Sequence, residues 1–285
     1  MKCSTWFTTR RIASALLLLG LALPTIALAL PRASSVPGGV ALIKLGTALT
    51  TIPPRAWFGD QRVMVTAENG QWVAVLGLAL DLPVGSHQLR VNVGGEEKIL
   101  PFAVSAKHYP EQRITLKDSS KVTLSAEDEE RALKEIATIQ GLKRIWRDAD
   151  ATDSNFLLPA EGRLASRFGL RRIFNGEPRA PHSGLDVAVP RGTPIKASAQ
   201  GKVLAVDDYF FNGKTVFVDH GNGLISMYCH LDRIDVQSGD SVVQGQRVGL
   251  AGMTGRASGP HLHWSVVLNG VMVDPELFVK PRSRN

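Results

Sequence analysis

The sequence predicts a mainly β protein in two parts joined by a short helix. Two-residue turn signals, Asn69-Gly70 and Gly94-Gly95, each separate a pair of apolar-rich runs. From Phe156 onward glycines recur between short β-rich runs. Between these regions lies one stretch with helical spacing of apolar residues.

The N-terminus comes first. Lys2, Arg10 and Arg11 precede an apolar run from Ile12 to Leu23, which Pro24 breaks and Ala27-Leu28-Ala29 follows. A basic start, a short apolar core and a small-x-small site predict a secretory signal peptide over residues 1–29, with export to the periplasm or cell envelope. An uncleaved anchor is the competing interpretation. No other segment approaches the ~18 apolar residues a membrane span needs. The cleaved chain is therefore expected not to span a membrane.

Residues 30–118 are expected to form a small β-sandwich of immunoglobulin-like type. Asn69-Gly70 joins Arg62–Glu68 to Gln71–Gly77, and Gly94-Gly95 joins Ser86–Val93 to Glu97–Val104. Leu89, Val91 and Val93 alternate with Gln88, Arg90 and Asn92, so that strand buries one face. Residues 119–155 are expected to hold a helix and a linker. Ser125-x-x-Asp128 resembles a capping box, and apolar spacing through Leu133, Ile136, Leu142, Ile145 and Trp146 predicts a helix from Ala126 to Arg147. Residues 156–285 are expected to be a second all-β domain with tight turns. Its expected strands include Lys202–Val206, Thr215–Asp219, Leu224–Tyr228, Arg247–Ala251 and Leu262–Leu268.

Composition narrows the function classes. With 285 residues and 44% hydrophobic content the chain can build about two cores and is not a disordered polymer. Its formal charge is +7, and loss of Lys2, Arg10 and Arg11 with the signal leaves +4. That is too little to argue for nucleic acid, and at 6% aromatic content no basic-aromatic motif appears. Cleavage also removes Cys3, leaving Cys229 without an intrachain disulfide partner.

The chemistry lies in the histidines. Five of the seven fall between His182 and His263. Four occupy three constellations: His182-Ser-Gly-Leu-Asp186, Tyr228-Cys229-His230-Leu231 and His261-Leu262-His263. Residues i and i+2 of a strand share a face, so His261 and His263 project together. With the nitrogen of His182 and the carboxylate of Asp186, this donor set suits Zn²⁺. Three protein ligands and one open position define a catalytic zinc site, and the histidines left over can handle protons. Spacing alone does not say which histidines are ligands. The same alternation points Cys229 away from His230, as a small buried hydrophobe.

The stretch Gly162–Phe278 resembles the lysostaphin/LytM-like zinc endopeptidases, which cut peptidoglycan cross-links. The resemblance rests on Ser166-Arg167-Phe168-Gly169, His182-x-Gly184-x-Asp186, Asp219-His220-Gly221, Tyr228-x-His230-Leu231, Val242-x-x-Gly245-x-x-x-Gly249, Thr254-Gly255-Arg256-x-x-Gly259-Pro260-His261-Leu262-His263 and Val273-Asp274-Pro275. It implies a small antiparallel β fold with the site in a groove. It implies Zn²⁺ held by His182, Asp186 and His263, and His230 and His261 as the catalytic pair. The implied substrate is the stem-peptide cross-links of peptidoglycan. His220 is expected to be structural. The segment Gly176–Pro181 lacks the tyrosine that such enzymes often place before the first ligand, so donation to the transition state is expected to rest on the two histidines.

Two other classes compete. A non-catalytic wall-binding regulator that activates other wall hydrolases is expected to lack some of these five residues. A group-carrier domain needs one modified Lys or His rather than a converging set. Arg163, Arg167, Arg171, Arg172 and Arg179 precede or flank the first ligand and are candidates to face an anionic polymer, or to be a solvated loop. The N-terminal region is expected either to restrict access to the groove or to bind wall or a partner.

Overall fold

The computed structural model describes residues 30–48, 52–115 and 124–281. The expected signal peptide lies outside the described residues. The structure is mainly β, as the turn signals and glycine spacing predict.

The N-terminal strands are β1 (Val40–Thr47), β2 (Arg55–Phe58), β3 (Gln61–Glu68), β4 (Gln71–Gly77), β5 (Gly85–Val93) and β6 (Glu96–Val104). They form an antiparallel path in the order β1-β4-β3-β2-β5-β6. Both expected hairpins are present. Asn69 and Gly70 take φ of 48° and 73°, and Gly94 and Gly95 take 61° and 95°. Positive φ at both turn residues matches the right-handed twist of the flanking strands. Residues from all six strands share one core, including Ala41, Ala56, Val63, Leu76, Leu89 and Val104, which makes the arrangement sandwich-like.

A seventh strand, β7 (Glu111–Ile114), leaves this sheet and joins the second part of the molecule. The helix α1 spans Ala126–Lys143, and the Ser125 hydroxyl accepts from the Asp128 N–H at 3.1 Å, as its cap motif predicts. It stops four residues short of the expected Arg147. The Arg144 N–H bonds to the Gly141 carbonyl at 3.1 Å, closing the last turn. Trp146 then swings out, with Arg62 stacked 4.5 Å from its ring. Leu133 and Ile136, expected on the apolar face, are exposed, whereas Ile139 and Leu142 pack against the C-terminal sheet.

The remaining strands are β8 (Arg163–Ser166), β9 (Arg171–Phe174), β10 (Glu177–Pro178), β11 (Leu185–Ala188), β12 (Pro194–Lys196), β13 (Gly201–Tyr209), β14 (Gly213–Gly221), β15 (Leu224–Ile234), β16 (Ser241–Val242), β17 (Arg247–Ala251), β18 (Leu262–Leu268) and β19 (Val271–Val273). The main sheet runs β16-β13-β14-β15-β18-β11-β8, and β12, β17 and β19 pair at its sides. One face buries Tyr228, Leu231, Leu262, Trp264 and Val266. The other buries Tyr209, Phe217, Met227, Cys229 and Val267.

The first face also packs against the N-terminal sheet, because Val40, Met64 and Val75 belong to its core. Asn269 binds Gly77 across this seam. Its Oδ1 accepts from the Gly77 N–H at 2.7 Å and its Nδ2 donates to the Gly77 carbonyl at 3.2 Å. A Cβ on Gly77 would sit 2.7 Å from the Leu268 carbonyl oxygen, so the approach needs glycine. A second junction is the small sheet β10-β9-β7, in which β7 lies parallel to β9 with Gln112 opposite Arg172.

Candidate metal centre and groove

Strand register assembles most of the site. Asp186 on β11 pairs with Ser166 on β8 and with His263 on β18, and His263 pairs with Cys229 on β15. Directly opposed residues of antiparallel strands share a face, so these four side chains form one row across the sheet. His182 enters from the loop before β11, tied down by its N–H to the Leu170 carbonyl at 2.9 Å and by its carbonyl to the Gly169 N–H at 2.8 Å. Gly184 lets that loop press on the row. A Cβ there would stand 2.6 Å from the Trp264 carbonyl oxygen and 2.7 Å from His263 Cε1.

His230 reaches the site by breaking the alternation. Tyr228 lies on one face of β15 and Cys229 on the other. A regular strand would return His230 to the Tyr228 face, away from His263. Instead His230 takes φ of +61°, and three steps on β15, Tyr228 to Leu231, oppose two on β14, Val216 to Lys214. This is a β-bulge with its extra residue at the site, a device that re-aims a side chain. The His230 N–H bonds to the Asn212 carbonyl at 2.8 Å, which holds the left-handed backbone. The expected opposition of Cys229 and His230 therefore rests on an alternation that the chain abandons here. Cys229 shares the face of His263 but is fully buried, and burial pushes its thiol up to about 11. It is neutral at pH 7 and a poor nucleophile.

Hydrogen-bond partners orient the rings. His182 Nδ1 faces the Arg167 carbonyl at 3.0 Å; a carbonyl only accepts, so Nδ1 carries a proton, and Nε2 is turned toward the row. His263 Nε2 stands 2.9 Å from the Ser265 hydroxyl, leaving Nδ1 toward the row. His182 Nε2, His263 Nδ1 and Asp186 Oδ1 then form a triangle with sides of 3.0, 2.9 and 3.0 Å. Both imidazole nitrogens point at the same carboxylate oxygen. A cation at the centre of the trio would be reached by all three donors at once. Donors about 2.0–2.1 Å from one tetrahedral ion stand roughly 3–3.5 Å apart, so this trio fits a small divalent metal. Burial works against the charge of Asp186, but the imidazoles of His182 and His263 outweigh it and hold the carboxyl well below the usual carboxylate range.

Two further imidazoles face the trio. His261 Nδ1 donates to the Gly259 carbonyl at 2.8 Å, and its Nε2 lies 3.7 Å from Asp186 Oδ1. His230 Nδ1 donates to the Thr254 carbonyl at 2.9 Å. The two rings are 4.7 Å apart, and each turns Nε2 away from its carbonyl partner. Burial first, then the nearby His263, pushes His230 down to about 4, so it is neutral at pH 7. His220 stands apart, with Nδ1 on the Gln200 carbonyl at 2.7 Å and Nε2 on the Ser226 hydroxyl at 2.8 Å.

The site opens into a groove of about 580 Å³. Of the five arginines noted in the sequence, Arg172 lines it. Arg167 holds Glu276, Arg179 holds Glu177, and Arg163 and Arg171 are exposed. Arg256, Gln112 and Ile114 also line the groove, and sequence reasoning gave none of them that place. Gln112 and Ile114 come from β7, so the connection out of the N-terminal sheet forms part of the groove wall.

Residues 180–275 match peptidase family M23 and residues 33–107 match the peptidase family M23 N-terminal domain. A crystal structure of a putative peptidase M23 from Pseudomonas aeruginosa is 41% identical with a TM-score of 0.73, over 86% of this chain and 95% of that one. The chain belongs to peptidase family M23. It is similar to the peptidoglycan DD-endopeptidase ShyA of Vibrio cholerae serotype O1, 42% identical over 109 residues, or 38% of this chain and 25% of that protein. It is also similar to the DD-carboxypeptidase/endopeptidase Mpg of Neisseria meningitidis serogroup B, 37% identical over 119 residues, or 42% of this chain and 27% of that protein. The match thus spans about a quarter of the length of these curated relatives.

Proposed function

We propose that the protein is an exported zinc metallo-endopeptidase that hydrolyses peptide cross-links of bacterial peptidoglycan. The observation that carries this is the convergence of His182 Nε2, Asp186 Oδ1 and His263 Nδ1 within 3.0 Å, with two further imidazoles facing them. Nitrogen and oxygen donors in this number favour zinc, and the open side of the trio leaves room for substrate. The substrate class is inferred from the named relatives and from the expected export signal.

Zinc held there supplies Lewis acidity that activates water for attack and polarises the scissile carbonyl. The chain's own residues do the rest. Ser265 and the Arg167 carbonyl hold the outer nitrogens of the ligand rings and so turn the inner ones toward the metal position. His261 Nε2, beside Asp186, accepts a proton from the attacking water and returns it to the leaving amine. His230 Nε2, carried into the groove by the bulge while Nδ1 is engaged by the Thr254 carbonyl, is a second proton acceptor beside His261. Asp186, anionic throughout, offsets part of the charge of the bound ion.

The test is digestion of purified cross-linked peptidoglycan by the full chain, with and without a chelator, followed by fragment masses. Loss of cross-linked dimers, blocked by the chelator and restored by zinc, is expected. Cleavage that persists in His263→Ala after verified loss of zinc would overturn the mechanism.

A further inference from the structure

We propose that Tyr109, on the segment leaving the N-terminal sheet, is a positioning residue for the metal centre: its ring braces the turn that holds His182. This rests on the zinc site proposed above and gives the N-terminal part a share in building it.

The turn is Arg167–Leu170, between β8 and β9, and it closes with the Leu170 N–H on the Arg167 carbonyl at 3.4 Å. Its backbone makes three bonds to His182. The Arg167 carbonyl accepts from Nδ1 at 3.0 Å, the Gly169 N–H donates to the His182 carbonyl at 2.8 Å, and the Leu170 carbonyl accepts from the His182 N–H at 2.9 Å. His182 lies in the connection between β10 and β11, outside any strand, so these bonds fix its backbone and orient its ring.

The support under that turn comes from the other part of the molecule. A Cβ on Gly169 would stand 2.1 Å from Tyr109 Cδ1 and 2.2 Å from its Cε1, so the turn backbone lies directly on the ring. The Phe168 ring meets Tyr109 edge-on, with 6.3 Å between centroids. Gly38, just before β1, admits that ring, since a Cβ there would stand 2.5 Å from Phe168 Cε1. Tyr109 and Phe168 are both buried. Tyr109 is itself held in place. Its hydroxyl donates to the Pro37 carbonyl at 2.8 Å, and the Lys107 ammonium lies 4.6 Å from its ring centroid. The next residue, Pro110, accepts from the Arg171 N–H at 3.0 Å, just past the turn.

The ring therefore links a fixed point in the N-terminal part to the backbone that carries the first ligand. The C-terminal part anchors the start of the same turn through Arg167 and Glu276, and Tyr109 supports its middle. Without the ring a void opens beside Gly169, and packing around a void relaxes only in part. A metal site tolerates about 0.2 Å of error in each donor distance, so a small displacement of His182 is read as lost affinity.

The experiment measures zinc affinity of the full chain by competition with a chromophoric chelator, at a temperature where every variant is folded. Tyr109→Ala is expected to raise the zinc Kd about tenfold to a hundredfold. Tyr109→Phe keeps the ring on Gly169 and gives up the bond to Pro37, and is expected to stay close to the unsubstituted value. Leu89→Ala, in the core of the first sheet, is expected to lower the melting temperature and leave the zinc Kd unchanged. An unchanged Kd in Tyr109→Ala would overturn the proposal and leave the zinc site intact. An equal rise in Leu89→Ala would also overturn it, because loss of stability alone would then explain the effect. Should Tyr109→Ala fail to fold, Tyr109→Leu keeps much of the apolar volume without the flat ring, and its Kd decides on the same terms. An unsubstituted protein that binds no zinc would remove the metal site and this proposal together.

Discussion

Strands β14 and β15 carry a buried histidine at each end, and the two do opposite work. At one end His220 is fully enclosed, and both ring nitrogens are engaged by Gln200 and Ser226. At the other, His230 has one nitrogen on the Thr254 carbonyl and the other turned into the groove. Burial pushes both down to about 4, so both are neutral at pH 7. A lowered pKa therefore does not tell the two apart. The unfilled nitrogen does, together with the positive φ at His230 that turns it outward.

Substitutions sharpen this contrast in order of expected size. The largest effect belongs to the trio that His230 faces. His263→Ala and Asp186→Ala should abolish zinc retention, measured by metal analysis, and lower activity at least about a thousandfold. His230→Ala and His261→Ala should keep the metal and lose about 10²–10⁴ in kcat/KM. A His230 variant with near-normal rates would show that the bulge delivers a packing residue rather than a base. At the closed end, His220→Gln should leave kcat/KM unchanged below the unfolding transition. It should destabilise the fold by about 1–3 kcal/mol in denaturant melts, because buried partners lose their hydrogen bonds.

The same closed end predicts a pH effect. Unfolded, the His220 imidazole takes a proton near 6.5; folded, only near about 4. Between those values the unfolded chain binds more protons, so the contribution of His220 is complete above about 6.5 and is lost as pH falls toward 4. Melting midpoints across that window should fall less steeply in His220→Gln than in the unsubstituted protein. The smallest effect is expected at Cys229. Cys229→Ala should cost about 1 kcal/mol, and thiol reagents should leave the native enzyme active.

The legible parts of the sequence were those governed by neighbours in the chain. Asn69-Gly70, Gly94-Gly95 and the Ser125 cap act within four residues, and each appears as expected. The i, i+2 relation of His261 and His263 was legible for the same reason, although His261 makes only an isolated bridge to Gly252 before β18 begins. Long-range pairing was not legible. Strands β8, β9 and β11 are four residues each, too short to show a period, yet they position Ser166, Arg172 and Asp186. The parallel pairing of β7 with β9 has no local signal at all. The bulge at His230 reverses a rule the sequence invites, since alternation places that ring on the wrong face. The end of α1 was misplaced because Ile145 and Trp146 continue a helical spacing, while Ile145 is exposed and Trp146 stacks on Arg62.

The Asn269–Gly77 clamp has a consequence for how the protein can be divided. The side chains it brings together, Val40, Met64 and Val75 against Leu268 and Val273, belong to one continuous apolar core, so neither sheet has a finished surface at the seam. A fragment starting at Phe156 would carry that unfinished face into water, and sticky, aggregation-prone behaviour follows from the exposed patch. An engineer seeking a minimal enzyme would have to repaint Leu268 and Val273 with polar groups, or keep the first sheet as a permanent lining.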